Sequence, residues 1–333
     1  MGLRDFTKNH ITLGVCMLGA RGVGKTSIMT AMFDDARSSE GFGTTRIAMT
    51  AKPDTRAELY DKKLQLQSAF DDNADLSLIG RKSPSAGIEA TAGASNFHFE
   101  VKLVGKPSCI DLVVSDYPGE FLVNNKEFVA GKIAEASAIM VAIDTPFLME
   151  KKGKYNEDKN QVELIRSFLA EIVDSVDNKL IMFVPLKCEK YFYEDRMDEV
   201  NMKVREAYAG IMDLFADVPT VAMVITPILT MGGVVFDRFE TVGDTHVARY
   251  EYYQKAPHFH PMFSVQPIYY LLSFVSKLYY ANRRSVGFWK GLLQGFVSFF
   301  DKNEEFILEM KRLEEYRMKN ECGYSIISGN KLL

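Results

Sequence analysis

Cysteine is scarce: four residues in 333, Cys16, Cys109, Cys188 and Cys322, with no paired spacing among them. They read as buried thiols in a reducing compartment, not as a disulfide framework. Excess charge is scarce too. Forty Lys and Arg face 44 Asp and Glu, for a net charge of -4, which excludes a strongly basic nucleic-acid-binding chain and an acidic disordered one. No apolar run approaches the roughly 20 residues of a membrane span. The opening MGLRDFTKNH lacks the apolar core of a secretion signal, and Phe6 stands where an N-myristoylation signal needs a hydroxyl. The expectation is a soluble cytoplasmic protein with no nucleic-acid partner and no membrane partner. Homo-oligomerisation stays open. With 47% hydrophobic residues, the chain has enough apolar surface for a large core.

Apolar runs at 11–18, 96–104, 109–115, 137–143, 179–186 and 220–225 alternate with segments of helical period at 25–35, 121–135, 157–176, 194–216 and 264–282. That alternation predicts an α/β fold, a parallel sheet covered by helices on its faces. NFHFEVKLV puts Phe97, Phe99, Val101 and Leu103 on one face and turns through Gly105-Lys106-Pro107 into CIDLVV. This pair reads as a hairpin, so one edge strand is expected to be antiparallel. The expected organisation is a main domain over 1–285, with insertions at 36–94 and 227–263, and a C-terminal helical extension over 286–333. The first insertion contains a helical stretch near 54–71 and the small-residue run SPSAGIEATAGAS. In the extension, Phe288, Leu292, Phe296 and Phe299 recur at helical spacing. They read as a helix packed on the domain, with a partner-binding or membrane-surface helix as the alternative.

Residues 19–27, GARGVGKTS, follow the strand-like ITLGVCML and lead into the helical KTSIMTAMF. Gly19 to Thr26 fits G-x-x-x-x-G-K-T. Between a strand and a helix, such a loop turns its backbone N–H groups into one concavity, where the helix dipole adds positive character. Gly19, Arg21, Gly22, Val23, Gly24, Lys25, Thr26 and Ser27 are therefore the candidate phosphate-binding residues. Lys25 is placed on the outer phosphates and the Thr26 hydroxyl on Mg2+. The sandwich is thus expected to be of the P-loop NTPase kind. CIDLVVSDYPGE supplies a second pair at the end of another strand: Asp116 for the metal, and Gly119, whose N–H would reach the γ-phosphate.

GARGVGKT and DYPGE, in this order and with a hairpin leading into the second, resemble the Ras-like GTPases of the translation-factor-related class over residues 10–226. The long insertions are similar to those of bacterial double-GTPase proteins of conflict systems. The resemblance implies bound GTP or GDP with Mg2+, slow hydrolysis, and a protein partner at nucleotide-sensing loops near 76–95 and 117–126. It also implies a base-reading loop of Asn/Thr-Lys-x-Asp type. In LIMFVPLKCEKY, Lys187 and Glu189 match that spacing, while Leu186 departs from it. Thr226 marks the other base-contacting loop. Pro227 has no N–H to give there, which leaves the donor role to Ile228 or a neighbour. The first switch threonine, a second Mg2+ ligand, falls on Thr91, with Thr44 and Thr45 as competitors. Glu120 occupies the position of the water-orienting glutamine. Arg21, a glycine in Ras, is a candidate to offset its charge, and either assists the transition state in cis or blocks an external arginine finger. Two alternatives remain: a P-loop ATPase, and a nucleotide-bound scaffold without turnover.

Overall fold

A computed structural model describes residues 3–7, 10–36, 42–43, 45–77, 93–107, 109–175, 178–243, 245–253, 255, 258–283, 292–319 and 325–333. The strands are β1 (Leu3–Thr7), β2 (His10–Leu18), β3 (Ile47–Ala51), β4 (Ser95–Leu103), β5 (Cys109–Asp116), β6 (Ala138–Asp144), β7 (Lys179–Leu186), β8 (Val221–Ile225), β9 (Val234–Val242), β10 (Thr245–Tyr252) and β11 (Ser325–Ser328). The main sheet has the order β11-β8-β7-β6-β2-β5-β4-β3, and β1 pairs with β2 off this path. β2 is the centre. It runs parallel to β5 from His10↔Cys109 to Cys16↔Ser115, and parallel to β6 from Val15↔Ala138 to Leu18↔Val141. β6, β7 and β8 continue the parallel set. The strand order therefore reverses at the carboxyl end of β2, where open α/β sheets place their ligands.

The two-residue period of each strand sorts its side chains into two layers. From β2, Ile11, Leu13, Val15 and Met17 enter one core, while Cys16 and Leu18 enter the other. The first core is covered by the helices Lys25–Asp35, Gln266–Arg283, Leu292–Lys302 and Glu304–Lys319. The second is covered by Lys126–Glu135, Val162–Ala170, Met197–Ala207 and Ala209–Leu214. Helix Val162–Ala170 shows the logic. Val162, Ile165, Phe168 and Leu169 repeat at three- and four-residue steps and are buried, and the intervening charges face out. The result is an α/β sandwich with P-loop NTPase-like architecture. Among the described residues, no helix is long and apolar enough to cross a membrane.

The structure differs from the sequence expectation in its edges. Instead of a single antiparallel strand there are three among the described residues, β4, β11 and β1; β3, antiparallel to β4, closes one edge in the direction of the parallel set. The first insertion contains β3 and the long helix Pro53–Ser77. The second is built on the hairpin β9–β10. The helix expected over 194–216 breaks at Tyr208, and the one expected over 157–176 breaks at Gln161, whose φ is 54°, into Asn156–Asn160 and Val162–Ala170.

The described part of the C-terminal aromatic stripe is core. Phe296, Phe299 and Phe300 are fully buried with β2 and β5 residues, and Tyr279 donates a hydrogen bond to Asp301 Oδ1 at 2.7 Å. Phe288 lies outside the described residues. Phe300→Ala is expected to lower stability by about 3–5 kcal/mol, the usual range for removing a buried phenylalanine. The denaturant midpoint checks this, and an unchanged midpoint would return the stripe to a membrane or partner role.

Candidate functional site

β2 ends at Leu18, and the chain curls through Gly19–Gly24 into the helix Lys25–Asp35. Gly24 makes the entry with φ 112°, a left-handed backbone that glycine adopts without strain. Val23 is buried under the loop, and Ser27 lies in the first helical turn. Lys25 is 7% exposed, and its Nζ donates to Gly19 O at 2.8 Å and Ala20 O at 3.4 Å. Burial lowers its pKa, opposed by Asp116 and then Glu120. An ammonium group is thus held at the mouth of β2 in a poorly solvated place, where a negative partner is strongly attracted.

β5 delivers Asp116 to the same place. Its Oδ2 accepts from Thr26 Oγ1 at 2.7 Å, and its buried Oδ1 has no hydrogen-bond partner among the described residues. At 1% exposure the carboxyl is pushed up by burial, with Lys25 and then the Thr26 bond opposing. A buried carboxylate oxygen without a donor, beside a hydroxyl, makes an oxygen-only set that fits Mg2+. Tyr117 anchors the following turn. It is fully buried, its hydroxyl lies 3.7 Å from Cys16 Sγ, and its ring packs on Phe121 and Phe128.

The two loops touch through backbone. A Cβ on Gly119 would lie 2.2 Å from Arg21 N and 2.5 Å from Ala20 C, so only glycine allows this approach. Above the contact, Arg21 Nη1 and Glu120 Oε1 pair at 2.9 Å, with side chains 68% and 41% exposed. A pair this open is worth at most about 1 kcal/mol, so a ligand can displace it.

The third group comes from β6 and β7. Lys187, with φ 57°, donates to Gly22 O at 2.9 Å and pairs with Asp144 Oδ2. This cross-brace ties the glycine-rich loop to the end of β6. Asp144 is buried; burial raises its pKa and Lys187 opposes the shift. The Asn160 side chain grips both backbone polar groups of Asp144, accepting from its N–H at 2.8 Å and donating to its carbonyl at 3.2 Å. Sequence reasoning missed Asp144 and Asn160, although the apolar run ending in AIDTP has the same strand-then-Asp form as the Asp116 segment.

The base-reading candidates have mixed placements. Glu189 is 2% exposed, and its Oε1 accepts from the backbone N–H of Met231 at 3.1 Å and Gly232 at 3.3 Å. Burial raises its pKa against those amides and Lys187. The carboxylate expected on a base is therefore engaged by its own chain. Thr226 is buried with its hydroxyl unpartnered among the described residues. Ile228 is corrected as a backbone donor, because its N–H already bonds Pro185 O at 3.0 Å and extends the sheet. Thr91 and its competitor Thr44 lie outside the described residues, as does most of the 76–95 loop. Thr45 donates to Phe42 O at 2.8 Å.

No protein-family model matches the sequence, and no curated protein matches it. Among solved structures, the chain is similar to the Ski7 GTPase-like domain of S. cerevisiae bound to GTP, at 16% identity and a TM-score of 0.38. The likeness covers 65% of this chain and 42% of that one, so the chain spans less than half of that structure.

Gly119→Ala is expected to destabilise the protein by about 1–3 kcal/mol, the ordinary cost of overpacking, and to speed hydrogen exchange at the Arg21 amide. Unchanged exchange and melting temperature would mean that the two loops do not keep this contact in solution.

Proposed function

We propose that this chain is a GTP-binding, slowly hydrolysing molecular switch that uses Mg2+. The observation that carries the reading is the meeting of Thr26 and Asp116 at 2.7 Å beside the buried Lys25 ammonium. Two metal-ligand types from different strand ends and a phosphate-seeking cation converge there, next to the glycine-rich loop. Thr26 and Asp116 would hold the metal, which supplies charge neutralisation for phosphoryl transfer. Thr91 is the proposed third ligand. Lys25 and the amides of Gly22, Gly24 and Ser27 bind the phosphates. Lys187 holds the loop by its carbonyl at Gly22, and Glu120 orients water with its charge offset by Arg21. Residues 117–126 then form a partner surface that responds to the γ-phosphate through Gly119. A cytoplasmic location belongs to the same reading.

Guanine is the base we infer, with Lys187 lying along its plane and Glu189 accepting from its edge on Oε2, since the Met231 and Gly232 amides take Oε1. The second reading, binding without turnover, draws on Glu120: a carboxylate already engaged by Arg21 at 2.9 Å is a poor orienter of water.

Mass analysis of the nucleotide that copurifies with the protein is expected to find GDP or GTP. Lys25→Ala should weaken GTP binding roughly 10- to 150-fold, the equivalent of one charged hydrogen bond. Binding unaffected by Lys25→Ala would sink the proposal. Glu189→Gln is expected to weaken GTP by a similar factor and leave an ATP analogue unchanged; equal losses for both would confine Glu189 to holding the 231–232 loop. In single-turnover hydrolysis, Arg21→Ala is expected to be slower than wild type. Equal rates would remove Arg21 from the reaction, and no phosphate release from either protein favours the scaffold.

A further inference from the structure

β2 and β5 carry a second cluster at their amino ends, roughly 27 Å along the strands from the glycine-rich loop at about 3.3 Å per residue. His10 and Cys109 are register partners there, and Asp111 follows two residues along β5 on the same face as Cys109. His10 Nδ1 lies 3.0 Å from Cys109 Sγ and 4.0 Å from Asp111 Oδ2. The three donor atoms all fall within 4.8 Å of one another.

A tetrahedral ion with bonds of about 2.0–2.3 Å separates its ligand atoms by roughly 3.3–3.8 Å, so these donors close round one ion with adjustments of about an ångström or less. The carboxylate is already divided for this purpose. Lys52 Nζ holds Asp111 Oδ1 at 3.1 Å, which leaves Oδ2 turned toward His10. A partner that fixes the far oxygen of a ligand also fixes the near one. Cys109 is 3% exposed, while the His10 side chain is 47% exposed, so a fourth position opens to water.

We propose that His10, Cys109 and Asp111 bind one zinc ion and clip the amino ends of β2 and β5. Imidazole, thiolate and carboxylate together suit Zn2+, whereas Mg2+ and Ca2+ take oxygen donors. This site is chemically distinct from the Thr26 and Asp116 pair and does not depend on what that pair binds. It acts on the same two strands from their opposite ends.

The test uses the full chain freed of metal by a chelator. Titration with Co2+ is expected to saturate at one equivalent, with visible d–d bands and a near-ultraviolet thiolate-to-cobalt charge-transfer band, and Zn2+ should displace it. Zn2+ should also raise the melting temperature. Cys109→Ser should abolish the charge-transfer band. His10→Ala and Asp111→Asn should weaken Zn2+ at least about 10- to 100-fold against a chromophoric chelator. If Cys109→Ser does not fold, the exposed His10→Ala carries the same comparison. A folded wild type without the charge-transfer band overturns the proposal. So does a band that persists in Cys109→Ser, or a zinc affinity that none of the three substitutions lowers.

Discussion

The hydrogen bond from Thr26 to Asp116 spans ninety positions of sequence and exists because β2 and β5 pair in parallel, in one register, along nearly their whole length. A slip of one residue would send every β5 side chain to the opposite layer, moving Ile110, Leu112 and Val114 out of their core. Register is therefore fixed by burial, and the position of the carboxylate follows from the register. Burial also sets the electrostatic condition of the site. Lys25 and Asp116 each lose solvation and each favours the charge on the other. Each is met by protein groups in place of water: Lys25 by the Gly19 and Ala20 carbonyls, and Asp116 by the Thr26 hydroxyl.

Around this pair the structure grades from braced to loose. Lys187 ties the loop at the Gly22 carbonyl through an exposed bond, its partner Asp144 is held by Asn160 through buried ones, and Tyr117 fixes the start of the neighbouring turn within an aromatic cluster. Arg21 and Glu120 sit at the rim and are solvated. The weakest contacts therefore face solvent, and the better-braced ones lie beneath them. The backbone contact at Gly119 joins the rim directly to the glycine-rich loop.

Much of this was legible in the sequence because each feature is local. The strands and the GARGVGKT loop are contiguous patterns of burial period and turn chemistry, and the face shared by Phe97, Phe99, Val101 and Leu103 appears as expected. What was not legible depends on long-range pairing. β11 is four residues of SIIS, too short to show a period, and becomes a strand only by pairing with β8. β3, at five residues, is nearly as brief. The hairpin β9–β10 is readable in the sequence, where VVFDRFETV and THVARYEY are strand-like runs flanking Gly243, against the plain insertion expected over 227–263. At the site, spacing identified Glu189 and could not foresee that Met231 and Gly232, forty residues on, would supply its donors. Asp144 was hidden for a similar reason, since its partner Lys187 lies in the loop after another strand.

β11 has a wider effect. It lies along the free side of β8 with an irregularity between Ile326 and Ser328, and Arg205 from a neighbouring helix clasps it through Ser325 Oγ and the Ile326 carbonyl. An open row of amides on β8 would be a template for strand exchange between molecules. A short, bent, arginine-fastened cover leaves little for another copy to zip onto, so the fold carries its own protection against fibre-like self-association.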